Sequence, residues 1–217
     1  MIRSCVLDNI SYIISSNSIK QRIITPVAPK SKINAEMIAQ VSYGILKKNG
    51  EGALNARSVA SGLECSTQPI YSYYKDMNDL INVLLKMAKD EFFNMVSLSL
   101  NDNNPFLNLA VNYAKFAKDN TNVFKFLLFS HYDDDVGSEG VYNFIGKSCD
   151  IEDFFGKFSK MYHISDEGYE EAFINVWSYV HGGASFIAVG HKTDDELFKK
   201  TVIALLKSEF MRISFGG

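Results

Sequence analysis

Cysteine is scarce in this chain, and the three present (Cys5, Cys65 and Cys149) lie far apart. An odd, widely spaced set builds neither a disulfide framework nor a paired zinc-ligand pattern, so a reducing cytoplasm is the expected compartment. Long apolar runs are missing too. None approaches the roughly 20 residues that cross a bilayer, and no membrane association is expected. The first residues lack a basic start leading into a clean apolar stretch, which argues against a secretory signal. Proline is rare, at 4 of 217 residues, and β-branched residues seldom alternate with polar ones; both point to an all-α chain. Glycine-rich phosphate loops and nucleophile–base spacings are absent, so neither an enzyme nor a bound cofactor is expected.

What is present is ordinary in amount and uneven in placement. A hydrophobic content of 47% with 22% charged side chains is that of a soluble globular protein, and the length allows a substantial core in one or two domains. The net charge of −3 conceals a division. Residues 1–75 carry nine basic side chains against four acidic ones, a net of +5, and the remainder carries 13 against 21, a net of −8. A basic head on an acidic body suits a polyanionic partner at the head end.

Residues 33–80 hold the densest pattern. Ile38, Val41 and Ile45 space an apolar face along a first helix, with Asn34 as its cap and Asn49-Gly50 as a left-handed stop. Asn55 caps a second, short helix, places Arg57 in its first turn, and leads to Val59, Ala60 and Leu63 on one face. Ala60 is small where another helix crosses closely. After Glu64 and Cys65, Ser66 is the expected cap of a third helix in which Ile70 and Tyr74 face inward. Thr67, Gln68, Tyr71 and Lys75 are left outward, a set of side chains suited to a DNA major groove.

Taken together, Gly50, Val59-Ala60, Ser66, Ile70-Tyr71-Ser72-Tyr73-Tyr74 and Leu80 resemble the DNA-binding head of the tetracycline-repressor (TetR) family of transcriptional regulators. The resemblance spans nearly all of residues 33–80 without a gap. It implies a three-helix helix-turn-helix head over residues 30–76 and a helical effector-binding and dimerisation body over residues 77–217, about nine helices in all. Two departures stand out. Glu64 occupies a turn position where the family usually has glycine, at a cost on the order of 1 kcal/mol. Met77 replaces a lysine common at the start of helix four, although the amides of that helix start remain able to hold a phosphate.

The resemblance also distributes roles over the head. Arg57 and Lys75 are phosphate contacts, and the cap residues Asn55 and Ser66 are counted on the DNA-binding surface with them. Gln68 suits an adenine edge, Thr67 a base edge or thymine methyl, and Pro69 stiffens the helix entry. Tyr71 and Tyr73 can donate hydroxyls to phosphate, with a core role for Tyr73 equally open. Lys30 and Lys32 form a basic arm before helix one that can reach phosphate or the minor groove. Residues 1–29 match no part of the pattern, and two readings stay open: a poorly ordered extension or a short helix packed on the head.

In the body, helix four is expected over residues 78–98 with Leu80, Leu84, Met87 and Phe92 or Phe93 inward. Phe92, Tyr113, Phe116, Phe126, Phe129 and Trp177 are candidate walls of an effector cavity, and core filling is the competing role for each. Trp177 and His181 belong to a Trp-x-x-x-His-Gly stretch that resembles a signature of one TetR subgroup, with His181 a candidate hydrogen-bonding group for the ligand and a satisfied core histidine the competing role. Gly182, Gly183 and Ala184 there allow a close helix approach. Thr193-Asp194-Asp195-Glu196 has the capping-box form and opens a last helix that is apolar on more than one face, as a dimer bundle requires.

These readings converge on a homodimer, paired through its last two helices, that binds a palindromic double-stranded DNA operator and is released by a small apolar or aromatic effector. One alternative is a DNA-binding regulator controlled by a protein partner instead. A more remote one is an all-α metal-dependent enzyme using His131 and Asp133–Asp135. Those ligand types are consecutive and lack a second set at fixed spacing, so no metal site is expected.

Overall fold

The computed structural model describes residues 33–96, 105–130 and 166–215. Residues 1–32, with Lys30 and Lys32 among them, lie outside the described residues, as do the 101–104 turn and the His131–Asp135 cluster. The described residues are all helical, as the proline and periodicity arguments require, with eight α-helices and no strand among them.

Helix α1 (Ala35–Asn49) begins where expected, with Asn34 Oδ1 accepting the Met37 N–H at 2.8 Å. Ile38, Tyr43 and Leu46 are buried along it, and the buried Ser42 hydroxyl donates to the Ile38 carbonyl at 2.7 Å. The helix stops at Gly50, which holds φ +81° and donates its N–H to the Leu46 carbonyl. A side chain there would be strained by the backbone and would also meet Asn122 of a later helix. A single 3-10 turn (Glu51–Ala53) follows.

Helix α2 (Ala56–Gly62) is held by a full capping box. Asn55 Oδ1 accepts from the Arg57 and Ser58 amides, and the Ser58 hydroxyl oxygen accepts the Asn55 N–H. Glu64 in the following turn has φ +52°, the left-handed conformation expected at that position. Replacing Glu64 with glycine is therefore expected to stabilise the fold by about 1 kcal/mol, read as a higher denaturant midpoint at unchanged slope.

Helix α3 (Gln68–Tyr73) is short and anchored by Ile70 and Tyr74, both buried, with the Tyr74 hydroxyl donating to the Ala35 carbonyl at 2.8 Å. Ser66 is not its cap. Thr67 occupies the cap position and makes no side-chain capping bond. A cap at Ser66 would lack one of its two usual donors, because the residue three on is Pro69, which has no N–H.

Helix α4 (Met77–Val96) links head to body and buries Leu80, Leu84, Ala88 and Phe92. Helices α5 (Pro105–Asp119) and α6 (Thr121–Phe129) meet at a corner around Asn120. Helices α7 (Asp166–Ala188) and α8 (Asp195–Phe215) pack together, and α5 packs on α7. Gly183 is required at the α7–α8 contact, because an added Cβ would come within 2.9 Å of the Phe198 ring. The cap of α8 is Asp194, not Thr193: Asp194 Oδ1 accepts the Glu196 and Leu197 amides. A carboxylate there also complements the positive end of the helix. One contiguous core runs from Ile38 in α1 to Val202 in α8.

Candidate nucleic-acid interface and effector region

The outer side of α3 is free of the body. Ser66, Gln68, Tyr71, Ser72 and Lys75 are exposed, and Thr67 and Pro69 are half-buried. Tyr71 presents its ring at 52% exposure. This separation follows from helical spacing, since Ile70 and Tyr74 take the inner side and the residues between them turn outward.

Tyr73 settles between its two expected roles. Its ring is 45% exposed, and its hydroxyl donates to the Ile33 carbonyl at 3.1 Å, tying α3 to the start of α1. Arg57 is exposed on the first turn of α2. Asn55 is exposed, spends its side-chain oxygen on the α2 cap as expected, and points its amide at the Ala53 carbonyl. The start of α4 differs from its expectation. Asp76 accepts the Asp79 N–H, and Asp79 accepts the Lys75 N–H. Two carboxylates therefore occupy the helix start that was expected to hold a phosphate, and an anion there would meet like charge.

The head is clamped to the body at α1. Glu91 of α4 accepts the Tyr43 hydroxyl at 2.8 Å and pairs with Lys47 at 2.7 Å. Burial and the Glu91 carboxylate push the Tyr43 phenol well above its usual range, so it stays a donor. From α6, Asn122 donates to the Lys47 carbonyl at 2.9 Å, and Ser130 bonds the Glu51 carboxylate. No local pattern marks Glu91 or Asn122 in the sequence, because their partners lie 44 and 75 residues away.

The rings offered as cavity walls lie together but pack on one another. Phe92 meets Tyr113 and Phe116 edge-on at 5.8 and 5.1 Å, and Tyr113 meets Trp177 at 4.9 Å. Phe92, Tyr113, Phe116 and Phe126 are buried, which is core filling. Phe129 departs from the expected inward position; it is 46% exposed, beside Phe124 and His181.

Within this core the Tyr113 hydroxyl and His181 Nδ1 are 2.7 Å apart. Trp177 is buried as well, and its indole Nε1–H has no acceptor among the described residues. Burial alone raises the Tyr113 phenol and lowers the His181 imidazole, so the pair is a phenol donating to a neutral imidazole. Because the folded His181 resists protonation, the unfolded chain binds the extra proton first as pH falls. Stability is therefore expected to drop as pH is lowered below about 6.5, with a shallower drop in His181→Gln, measured as unfolding midpoints across pH.

Among the described residues no group of three or more histidine, cysteine or acidic side chains converges as a metal site, and no helix is long and apolar enough to cross a membrane. No protein-family model matches this chain, and no curated protein matches it.

Proposed function

We propose that the chain is a TetR-type DNA-binding transcriptional regulator, a homodimer that places one α3 in each of two successive major grooves. The observation that carries this reading is the outer side of α3. It holds the Gln68 amide and the Tyr71 and Ser72 hydroxyls, exposed on a helix whose inner side is locked by Ile70 and Tyr74, with the Ser66 hydroxyl just before the helix and the Lys75 ammonium just after it. Arg57, exposed on the first turn of α2, adds a cation for the phosphate backbone.

Dimerisation is supported by two apolar stripes on the last helices. On α7, Ile174, Ser178, Gly182 and Phe186 recur every four residues, all but Gly182 exposed, and an added Cβ on Gly182 would meet open space. On α8, Leu197, Ala204 and Met211 recur every seven, also exposed. Phe186 at 60% and Leu197 at 62% exposure are costly in water and suit the seam of a four-helix bundle between two copies.

Control by a small apolar or aromatic effector is supported by the unpartnered Trp177 indole N–H, which a ligand with one acceptor would satisfy. The Glu91 and Asn122 clamps give a shift in α4 or α6 a direct path to α1 and hence to α3. Release needs only that the effector favour one of the two arrangements over the other.

The reading is tested by gel shift against fragments flanking the chain's own gene. A retained fragment with a two-fold-symmetric footprint and an affinity that falls steeply with salt is expected. Equal, weak retention of every fragment would refute it.

A further inference from the structure

A cleft of about 220 Å³ opens where α5 meets the end of α7 and the start of α8. It lies apart from the Trp177 indole, and its lining is divided by chemistry. Val111, Ala114, Ile187 and Phe198 form an apolar floor, while Lys115, Lys118 and Lys199 stand around the rim. An apolar floor under a rim of ammonium groups matches a ligand that is hydrocarbon at one end and anionic at the other.

The rim charges are not equivalent. Lys118 lies 3.5 Å from Asp195, and Lys199 lies 3.2 Å from Glu196. Lys115 is exposed and has no ion-pair partner among the described residues. Asp119 is the rim's remaining carboxylate and opposes an anion placed near it. The first amides of α8 are not the anion's donors, because Asp194 already caps them. The rim is neutral in sum, three ammoniums against Asp119, Asp195 and Glu196, and Lys115 is its one ammonium outside an ion pair among the described residues, one helical position from Ala114 on the floor.

We propose that this cleft binds a small amphipathic carboxylate, a short-chain or aromatic acid, with the Lys115 ammonium as its anion contact and the floor taking its hydrocarbon. The volume is below the roughly 300 Å³ at which drug-sized sites begin, which limits the occupant to a small acid. A monocarboxylate matches the one free cation; a dianion would set its second charge against Asp119 or Asp195.

The test uses the full chain without DNA, so failure here leaves the regulator reading standing. Sodium octanoate is titrated into protein labelled for amide shift mapping, with 1-octanol as the uncharged comparison. Saturable shifts are expected in residues 111–119, 187 and 193–199. Lys115→Met keeps the apolar stem and is expected to weaken octanoate binding about tenfold. Lys125→Met, an exposed lysine on α6, is expected to leave it unchanged. 1-Octanol is expected to bind at least about tenfold more weakly than octanoate. No saturable shift up to about 10 mM octanoate, equal binding by Lys115→Met, or equal binding of octanol would each overturn the proposal.

Discussion

A chain carrying both Gln68→Ala and Tyr71→Ala is expected to lose operator affinity on the order of 1,000-fold while remaining a folded dimer. Two side chains are removed from each of two copies, and a base or phosphate contact of this kind is worth about 1 kcal/mol or more. Folding is spared because both side chains are exposed, whereas Ile70 and Tyr74, which hold α3 in place, are untouched. Binding is read by gel shift and the fold by far-ultraviolet circular dichroism with sedimentation. Lys75→Ala makes an informative partner. It removes a backbone contact alone, so it is expected to weaken all sequences alike and to reduce the salt slope by about 2, one for each copy. Wild-type affinity in the double variant would remove α3 as the reading element.

Phe92→Ala is expected to cost about 3–5 kcal/mol of stability, measured by urea unfolding. Phe92 is fully buried and lies edge-on against Phe93, Tyr113 and Phe116, so truncation leaves a hole that three rings surround. That loss is a large share of the roughly 5–15 kcal/mol by which a domain of ordinary stability is held. Phe129→Ala, at an exposed ring, is expected to cost under about 1 kcal/mol. A similarly small loss at Phe92 would mean that its ring borders an open space instead of packing, and would return the aromatic cluster to the role of cavity wall.

The parts of this molecule governed by short-range rules were legible in the sequence. Asn34, Gly50 and Asn55 act within four residues of themselves, and each does what its chemistry at that position requires. The left-handed turn at Glu64 agrees with what the family resemblance implied, through the glycine usual at that position. Ser66 is not the cap, since Pro69 three residues on offers its hydroxyl no N–H and the helix starts one residue later. At Asp194 and Thr193 two adjacent residues competed for one helix end, and the charged acceptor prevailed.

Long-range contacts were not legible, since nothing near Lys47 in the chain announces Glu91 or Asn122. The aromatic body shows the same limit in another form. Spacing identified Phe92, Tyr113 and Phe116 as inward, but inward residues either fill a core or line a space, and only the packing distances decide between them. Gly183 could be read as a close-approach position, yet its partner Phe198 emerged only from the fold.

The central claim is that residues 66–75 enter DNA, once per subunit. It is tested most directly by amide hydrogen exchange of the full chain with and without the retained operator fragment. Slowed exchange concentrated in residues 57–75, at a stoichiometry of two chains per operator, is the predicted result. Protection confined to the body, with the α3 amides exchanging as fast as in the free chain, would contradict it.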